Sequence, residues 1–328
     1  MDQFGQNLIN AGGINIMPTI LELPFTAGNI YHVKPYSGSD SNYGDNQGSA
    51  FKTLAQAQKA VTANQNDVVL MYAESNTAAS TTDYQTGNLA WAKDGVHLIG
   101  INANPFFSPR SRVAFTSTFN SAANLFTLSA NGCLIKGIEM FMGVAGTSPT
   151  GCLSITGMRN KLSHCHIAGF GGAAGANDIA SAYSLLLAGA QENIIEDTVI
   201  GVDTVTLGAS VNAQIYATTA SPRNKFSRCQ IVTYTNHATN NQFLRVGANG
   251  IDRFLEFEDC LFRNPTGAGS TALTSCFTVA AGAGGDVLLT GKTANWGGGY
   301  WNATNAGNVI VQQASGATTT GIMLATTH

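Results

Sequence analysis

The chain has 328 residues, of which only 11% are charged, and 16 basic against 19 acidic residues leave a formal charge of −3. With no basic block, that balance excludes an electrostatic nucleic-acid binder, and no apolar run approaches membrane length. Low charge also leaves little self-repulsion to hold copies apart, which points to assembly.

Residues 1–28 contain no Lys or Arg, the first basic residue being Lys34, so a positive signal-peptide n-region is not seen. Phe4, Leu8, Ile9, Ile14, Ile16 and Met17 are expected instead to make these residues an arm that docks on a neighbouring subunit. Residues 29–75 read as an N-terminal cap. Ile30–Val33 is a strand, residues 37–45 form turns, and residues 68–73 form a buried strand. Between them Ser49 is placed as the N-cap of a helix with Phe51, Leu54, Ala57 and Val61 on one face. Asp40, Asn42 and Gly44 have the spacing of a calcium loop. The distal Glu that would complete the coordination is missing, so a plain turn and no metal are expected. Residues 76–124 hold a polar loop around Trp91, a strand at 96–101, and turns before a strand at 113–115.

The chain then repeats itself. One template has an apolar residue, two polar or small ones, a small core-type residue, a variable one and an apolar one. It starts at Ile135, Leu162, Ile195, Phe226 and Phe257, and Leu98 and Leu289 extend it, in steps of 27 to 37 residues. A second series, Leu128, Ile155, Leu187, Ile215, Val246, Val279 and Val311, sits in short alternating runs with a similar period. Alternation over a few residues means strands with one buried face, and a repeat of this length means stacked units that bury their faces on each other. Stacked about 4.8 Å apart, the repeats give apolar columns. One runs Ile135, Leu162, Ile195, Phe226, Phe257; another Ile138, Cys165, Thr198, Cys229, Cys260; a third Met140, Ile167, Ile200, Ile231, Phe262. Asn160, Asn193 and Asn224 form a further column. Asparagine tolerates the left-handed backbone of a sharp corner, and its amide can bond the rungs above and below. Longer insertions at 169–183, 201–212, 233–242 and 264–275 are expected to project from one side.

The asparagine column followed by apolar-x-x-Cys/Thr-x-Ile resembles the right-handed parallel β-helix of the pectate-lyase-like superfamily, across residues 29–311. The order of strand, Gly-Ser-Asp-Ser-Asn loop, Phe-Lys-Thr-Leu helix and strand is similar to the cap that opens many such helices. The resemblance implies an all-β, single-stack right-handed solenoid with an N-terminal helical cap, coils over residues 76–311 and an extended tail at 312–328. It implies little about chemistry, because that architecture carries lyases, hydrolases and inert structural proteins alike.

Two sets of residues could carry chemistry. Cys229 and Cys260 would be neighbours one strand apart, with Cβ atoms too distant for an easy disulfide, so buried free thiols are expected. Asp197, Glu258 and Asp259 are candidate carboxylates for glycoside chemistry. The outward columns His164, Asp197, Arg228, Asp259 and Arg159, Glu192, Arg223 alternate in sign, however, which describes a salt ladder that fixes register. The resemblance would bring Asn-Thr-Asp, paired-aspartate, Gly-His-Gly or Arg-Ile-Lys motifs for hydrolysis, or a calcium-binding aspartate set for lyase chemistry, and none is present. Trp296, Tyr300 and Trp301 could stack on sugar or pack on a subunit.

The expectation is therefore a non-enzymatic virion protein without a cofactor: a bacteriophage head-decoration or minor tail component. It would be assembled in the host cytoplasm with other virion proteins, as a homo-oligomer, a trimer being favoured, with no nucleic-acid or membrane partner. The alternative is a tailspike-like protein that binds or depolymerises a host surface glycan, with Asp197, Glu258 and Asp259 as its carboxylates.

Overall fold

A strand of five residues with one apolar face has nothing to bury that face against except its own copies, and here the copies stack. The computed structural model describes residues 28–75, 77, 82–103, 105, 107–121, 124–144, 146–169, 179–265, 270–302, 308–312 and 322–324. The apolar residues expected to form a docking arm, Phe4, Leu8, Ile9, Ile14, Ile16 and Met17, lie outside them, as does most of the tail at 312–328. Among the described residues, three sheets of 11, 8 and 8 strands, here A, B and C, wind into a right-handed, single-stack parallel β-helix. Each coil visits A, B and C in turn. In one coil Leu134–Lys136 lies in A, Ile138–Phe141 in B and Gly151–Ile155 in C. Lys161–Ser163 then returns to A beside Leu134–Lys136.

The columns of sheets A and B stand as the repeat requires. Leu98, Ile135, Leu162, Ile195, Phe226, Phe257 and Leu289 are successive register partners. Met140, Ile167, Ile200, Ile231 and Phe262 form the equivalent line in B. Every one of these side chains is buried, contributing about 2 kcal/mol each by transfer from water. Phe226 and Phe257 stack with centroids 4.7 Å apart, one strand spacing. Sheet C departs from the expected register. Leu185 faces Ile215 and Leu187 faces Ala217, two residues away from a Leu187–Ile215 pairing. A slip of two keeps the same residues inside, so the hydrophobic pattern alone does not forbid it. Val311 also belongs elsewhere: it pairs with Leu289 in sheet A, while the C partner of Phe277 is Asn302. The alternating Val309 and Val311 suit any inner face, and the true C strand, Gly298–Asn302, lacks the apolar alternation that marks its neighbours.

The corners use two devices. Between A and B the chain turns through single residues in left-handed conformation, His164, Asp197, Arg228 and Asp259, at φ 53°, 47°, 53° and 53°. Between C and A the left-handed residue is Arg159, Glu192 or Arg223, each just before the asparagine, not the asparagine itself. The asparagines turn inward instead. Asn160, Asn193 and Asn224 accept through Oδ1 from the backbone N–H of Cys133, Asn160 and Asn193, at 2.8, 2.9 and 3.1 Å. Their Nδ2 groups donate to the carbonyls of Ala130, Gly157 and Ala190. Between B and C lie the longer connections, including all four of the expected insertions.

The cap is built as expected, with one shift. Its helix, Leu54–Ala60, buries Leu54 and Ala57, and its N-cap is Thr53, whose Oγ1 accepts from Gln56 N–H. Ser49 instead ends a short 3-10 turn, Gln47–Ser49, capped by Asn46. The Lys52 and Thr53 N–H groups go to Asp40, which leaves the hydroxyl of Thr53 as the nearest cap. Asp83 stands at the head of the inner B column, opposite Val113, and its carboxylate accepts Leu54 N–H at 2.8 Å.

Two stability predictions follow from these contacts. Asn193→Ala strips a backbone N–H of its acceptor inside a dry corner, and is expected to cost about 2–4 kcal/mol in urea denaturation. Burial pushes the Asp83 carboxyl up to about 6, against the Leu54 hydrogen bond, with Asp40 adding to the rise. A carboxyl raised in the folded state holds its proton more tightly there, so its contribution is full below about pH 4 and is lost as pH rises through about 6. Asp83→Asn keeps the acceptor without the charge. It should leave stability near pH 4 unchanged and raise it by about 1–3 kcal/mol at pH 8.

Candidate functional site

The outward residues of sheet B, which share no sequence neighbourhood, meet on one face. Arg112, Glu139 and His166 are register partners on three successive strands, Ser111–Phe115, Ile138–Phe141 and His166–Ala168. The next outward column holds Tyr84, Ala114, Phe141 and Ala168, and further along the sheet Arg263 and Trp296. Two connections wall this face. Residues 102–110 cross from A to B and bring Phe107 and Ser108 over it; residues 201–211 leave B for C and bring Asp203. Together they enclose a cleft of about 470 Å³ lined by Phe107, Ser108, Glu139, Phe141, His166, Asp203 and Arg263 among others.

His166 locks the two walls together. The Ser108 backbone N–H donates to its Nδ1 at 3.2 Å, so Nδ1 is unprotonated; Nε2–H then donates to the Gly201 carbonyl at 2.9 Å. The Phe107 ring meets the imidazole edge-on at 5.6 Å. Burial pushes the imidazole pKa down, more strongly than the Gly201 carbonyl and Asp203 pull it up. The ring is therefore a neutral tie. Gly201 has φ 99° and no room for a Cβ, which would overlap the Val232 carbonyl. Only glycine lets the carbonyl reach His166 from there.

Glu139 is 3% exposed, and its Oε2 has no hydrogen-bond partner. Arg112 Nε stands 3.6 Å from that oxygen and His166 Nδ1 3.9 Å from Oε1. The Arg112 guanidinium lies 4.1 Å from the Phe141 ring centroid, which spreads its contacts between ring and carboxyl. Burial raises the Glu139 carboxyl above the usual range, opposed by Arg112, Arg110 and a Ser108 hydrogen bond. Across the cleft Asp203 is ion-paired, Arg263 Nη2 donating to its carboxylate at 2.6 Å. The cleft thus holds a buried carboxyl pushed toward its protonated form and a second carboxylate paired with Arg263. Acid–base cleavage of a glycosidic bond uses two carboxyl groups in different environments.

The carboxylates singled out from sequence are elsewhere. Asp197 is held by two hydrogen bonds from Arg228, at 2.8 and 2.7 Å, which keep it below the usual carboxylate range. Glu258 pairs with Lys225 at 3.0 Å, and Asp259 accepts the Lys292 backbone N–H at 2.7 Å. All three sit on sheet A or at its corner, and none lines the cleft. Glu192 lies between Arg159 and Arg223 as the ladder requires. Arg228, by contrast, serves Asp197 and Glu196 but not Asp259, which is taken up by the turn after Thr290. Trp296 and Tyr300 are exposed, at 53% and 47%, and Trp296 stands beside Arg263 on the outer face of B. Trp301 packs on Phe262 and Phe277. All six cysteines are free and buried, and burial lifts the Cys165 thiol to about 11. Among the described residues no helix is long and apolar enough to cross a membrane.

Arg112 and Glu139 escape a reading along the chain because the template treats the position between its two last core residues as variable. Stacking that position as a column would have set Glu139 beside His166.

No protein-family model matches the sequence, and no curated protein matches it. Solved structures do match in fold. A pectate lyase, Pel9A, superimposes with a TM-score of 0.58 over 88% of this chain and 68% of its own, at 14% identity. The pectin methylesterase PemA from Erwinia chrysanthemi gives 0.51 over 90% and 92%, at 12% identity. A rhamnogalacturonan lyase gives 0.49 over 87% and 66%, at 18% identity. The likeness is one of fold, the pectate-lyase-like β-helix, and it corrects the expectation of a non-enzymatic protein to this extent: the two solved structures that superimpose best among these three are named as enzymes. That expectation rested on composition and on missing linear motifs, whereas a site on stacked strands is spelled across the coils.

The neutral tie can be checked directly. Nitrogen-detected NMR of the histidines should find His166 as the Nε2–H tautomer at pH 6.5, titrating only below that value. Because its folded pKa is depressed, its contribution to stability is present above about pH 6.5 and is lost as pH falls through the folded pKa. A His166 midpoint above 7 would contradict the geometry.

Proposed function

We propose that this protein binds a polysaccharide along the outer face of sheet B and cleaves it in the cleft between Glu139 and Asp203. The observation that carries the reading is the buried Glu139 carboxyl, with an unpartnered oxygen, in a cleft that also holds an ion-paired Asp203. Glu139 acts as general acid toward the glycosidic oxygen. Asp203, oriented by Arg263, acts on the opposite side as base or nucleophile. His166 is a positioning residue that holds both walls at their spacing. Phe107 and Phe141, with the exposed Trp296 beyond Arg263, offer ring faces to the apolar sides of sugars.

The named actions of the fold relatives, on pectate and on pectin methyl esters, support a polysaccharide as the class of substrate. The proposed setting is a bacteriophage tail, where a tailspike-like homo-oligomer would meet host surface polysaccharide alongside other virion proteins. The low charge content supports an assembled state.

The test is incubation with polygalacturonate, methylated pectin, alginate and purified bacterial capsular polysaccharides, followed by a reducing-end assay. At least one polymer should be shortened. Glu139→Gln and Asp203→Asn should each lower kcat by about 10²–10⁴, while Asp197→Asn should leave it unchanged. Full turnover by Glu139→Gln would sink the assignment. Products with unsaturated ends would replace hydrolysis by elimination.

A further inference from the structure

The cleft is one stop on a longer face. Arg112, Glu139 and His166 share their outward column with Thr82, on the first strand of sheet B, Thr82–Gln85. Tyr84 on that strand shares the other column with Ala114 and Phe141. At this capped end lies a second cavity, of about 330 Å³, lined by Tyr36, Lys52, Thr53, Thr82 and Tyr84 among others. It opens two strand steps from Glu139, about 10 Å along the axis.

A single exposed tyrosine needs no explanation. Here two of them, Tyr36 at 69% and Tyr84 at 48% exposed, border one pocket. They come from different parts of the chain, one from the cap and one from the first coil. The Tyr36 loop is held in place, since the backbone N–H groups of Tyr36 and Ser37 donate to the Glu74 carboxylate at 2.8 and 3.0 Å. Tyr84 is fixed by its strand. Lys52 is exposed at the rim, and Pro35, Thr53, Thr82 and Asp83 complete the lining. Ring faces for the apolar side of a sugar, with an ammonium group for its oxygens, are what a saccharide subsite needs.

We infer that this pocket is a remote subsite for the same polysaccharide, taking a sugar unit between Tyr36 and Tyr84 while the reacting bond lies at Glu139. The inference rests on the cleft reading above and adds direction to it: the polymer runs parallel to the solenoid axis, with one arm reaching the cap. Trp296 and Tyr84 then stand at opposite ends of the eight-stranded sheet, about 34 Å apart at one strand spacing per step.

The experiment uses the full chain carrying Glu139→Gln, so that the polymer is bound but not cut. Its migration is measured in affinity gels containing polygalacturonate, alginate or capsular polysaccharide. Adding Tyr36→Ala and Tyr84→Ala should weaken the apparent Kd about fivefold or more, while Tyr36→Phe with Tyr84→Phe should retain affinity, because stacking needs the ring. Thermal midpoints of both pairs should match the parent. If the alanine pair binds as the parent does while Arg263→Ala binds less, the subsite is wrong and the cleft stands. Equal loss in the phenylalanine pair overturns the stacking. If none of the polymers retards the parent, both readings fall together.

Discussion

Everything in this molecule depends on one geometric fact: identical strand spacing repeated along an axis, with each rung burying its face only against the rungs beside it. A solenoid of this kind has no independent centre. Its stability is the sum of neighbour contacts, so register has to be specified at every step. The apolar columns specify which face is inside. They do not distinguish a slip of two residues. The asparagine corner supplies what they lack, because its side chain bonds the backbone of the preceding coil and has no equivalent partner two residues along. Sheet C, where the comparable stack described is the single pair Asn212 and Asn241, is where the actual register differs from the one expected.

The same stacking that makes the core also makes the surface. Outward positions on adjacent strands are brought within side-chain reach however far apart they are in sequence. At the corners of sheet A this yields ion pairs, Arg159 with Glu192 and Arg228 with Asp197, open to water and of modest energetic weight. On sheet B, two connections close over the face and the consequences of charge change. Glu139 loses water, and no partner restores what water would have given its Oε2. A fold that tolerates an unsatisfied buried carboxyl retains an energetic cost at that point, and such costs concentrate where chemistry is done.

The fold was legible in the sequence because inward columns are apolar, and apolarity is a property that survives reading along the chain. Ile135, Leu162, Ile195, Phe226 and Phe257 announce themselves by type alone. The cap was legible for the same reason, except that the choice between Ser49 and Thr53 as N-cap turned on Asp40 taking the Lys52 and Thr53 N–H groups. The strand Gly298–Asn302 was passed over because glycines carry no pattern. The cleft was hidden for a different reason. Arg112, Glu139 and His166 have nothing in common as residue types, and their adjacency exists only once the register is known. Asp203 and Phe107 arrive on loops whose direction no periodicity predicts. The carboxylates that attracted attention, Asp197, Glu258 and Asp259, are instead taken up by Arg228, Lys225 and the Lys292 backbone N–H.

The six thiols give the solenoid a property of its own. Cys133, Cys152, Cys165, Cys229, Cys260 and Cys276 are spread over four coils, beside the strands of sheet A or within sheet C, each sealed from solvent. Burial makes every thiolate costly in the folded state where a shift is resolved, so alkylating reagents can act only on a coil that has opened. Nature has in effect numbered the rungs. The order in which these sulfurs become reactive under mild denaturant would trace the path along which the cylinder unzips, from its N-terminal end, from its C-terminal end, or from the middle outward.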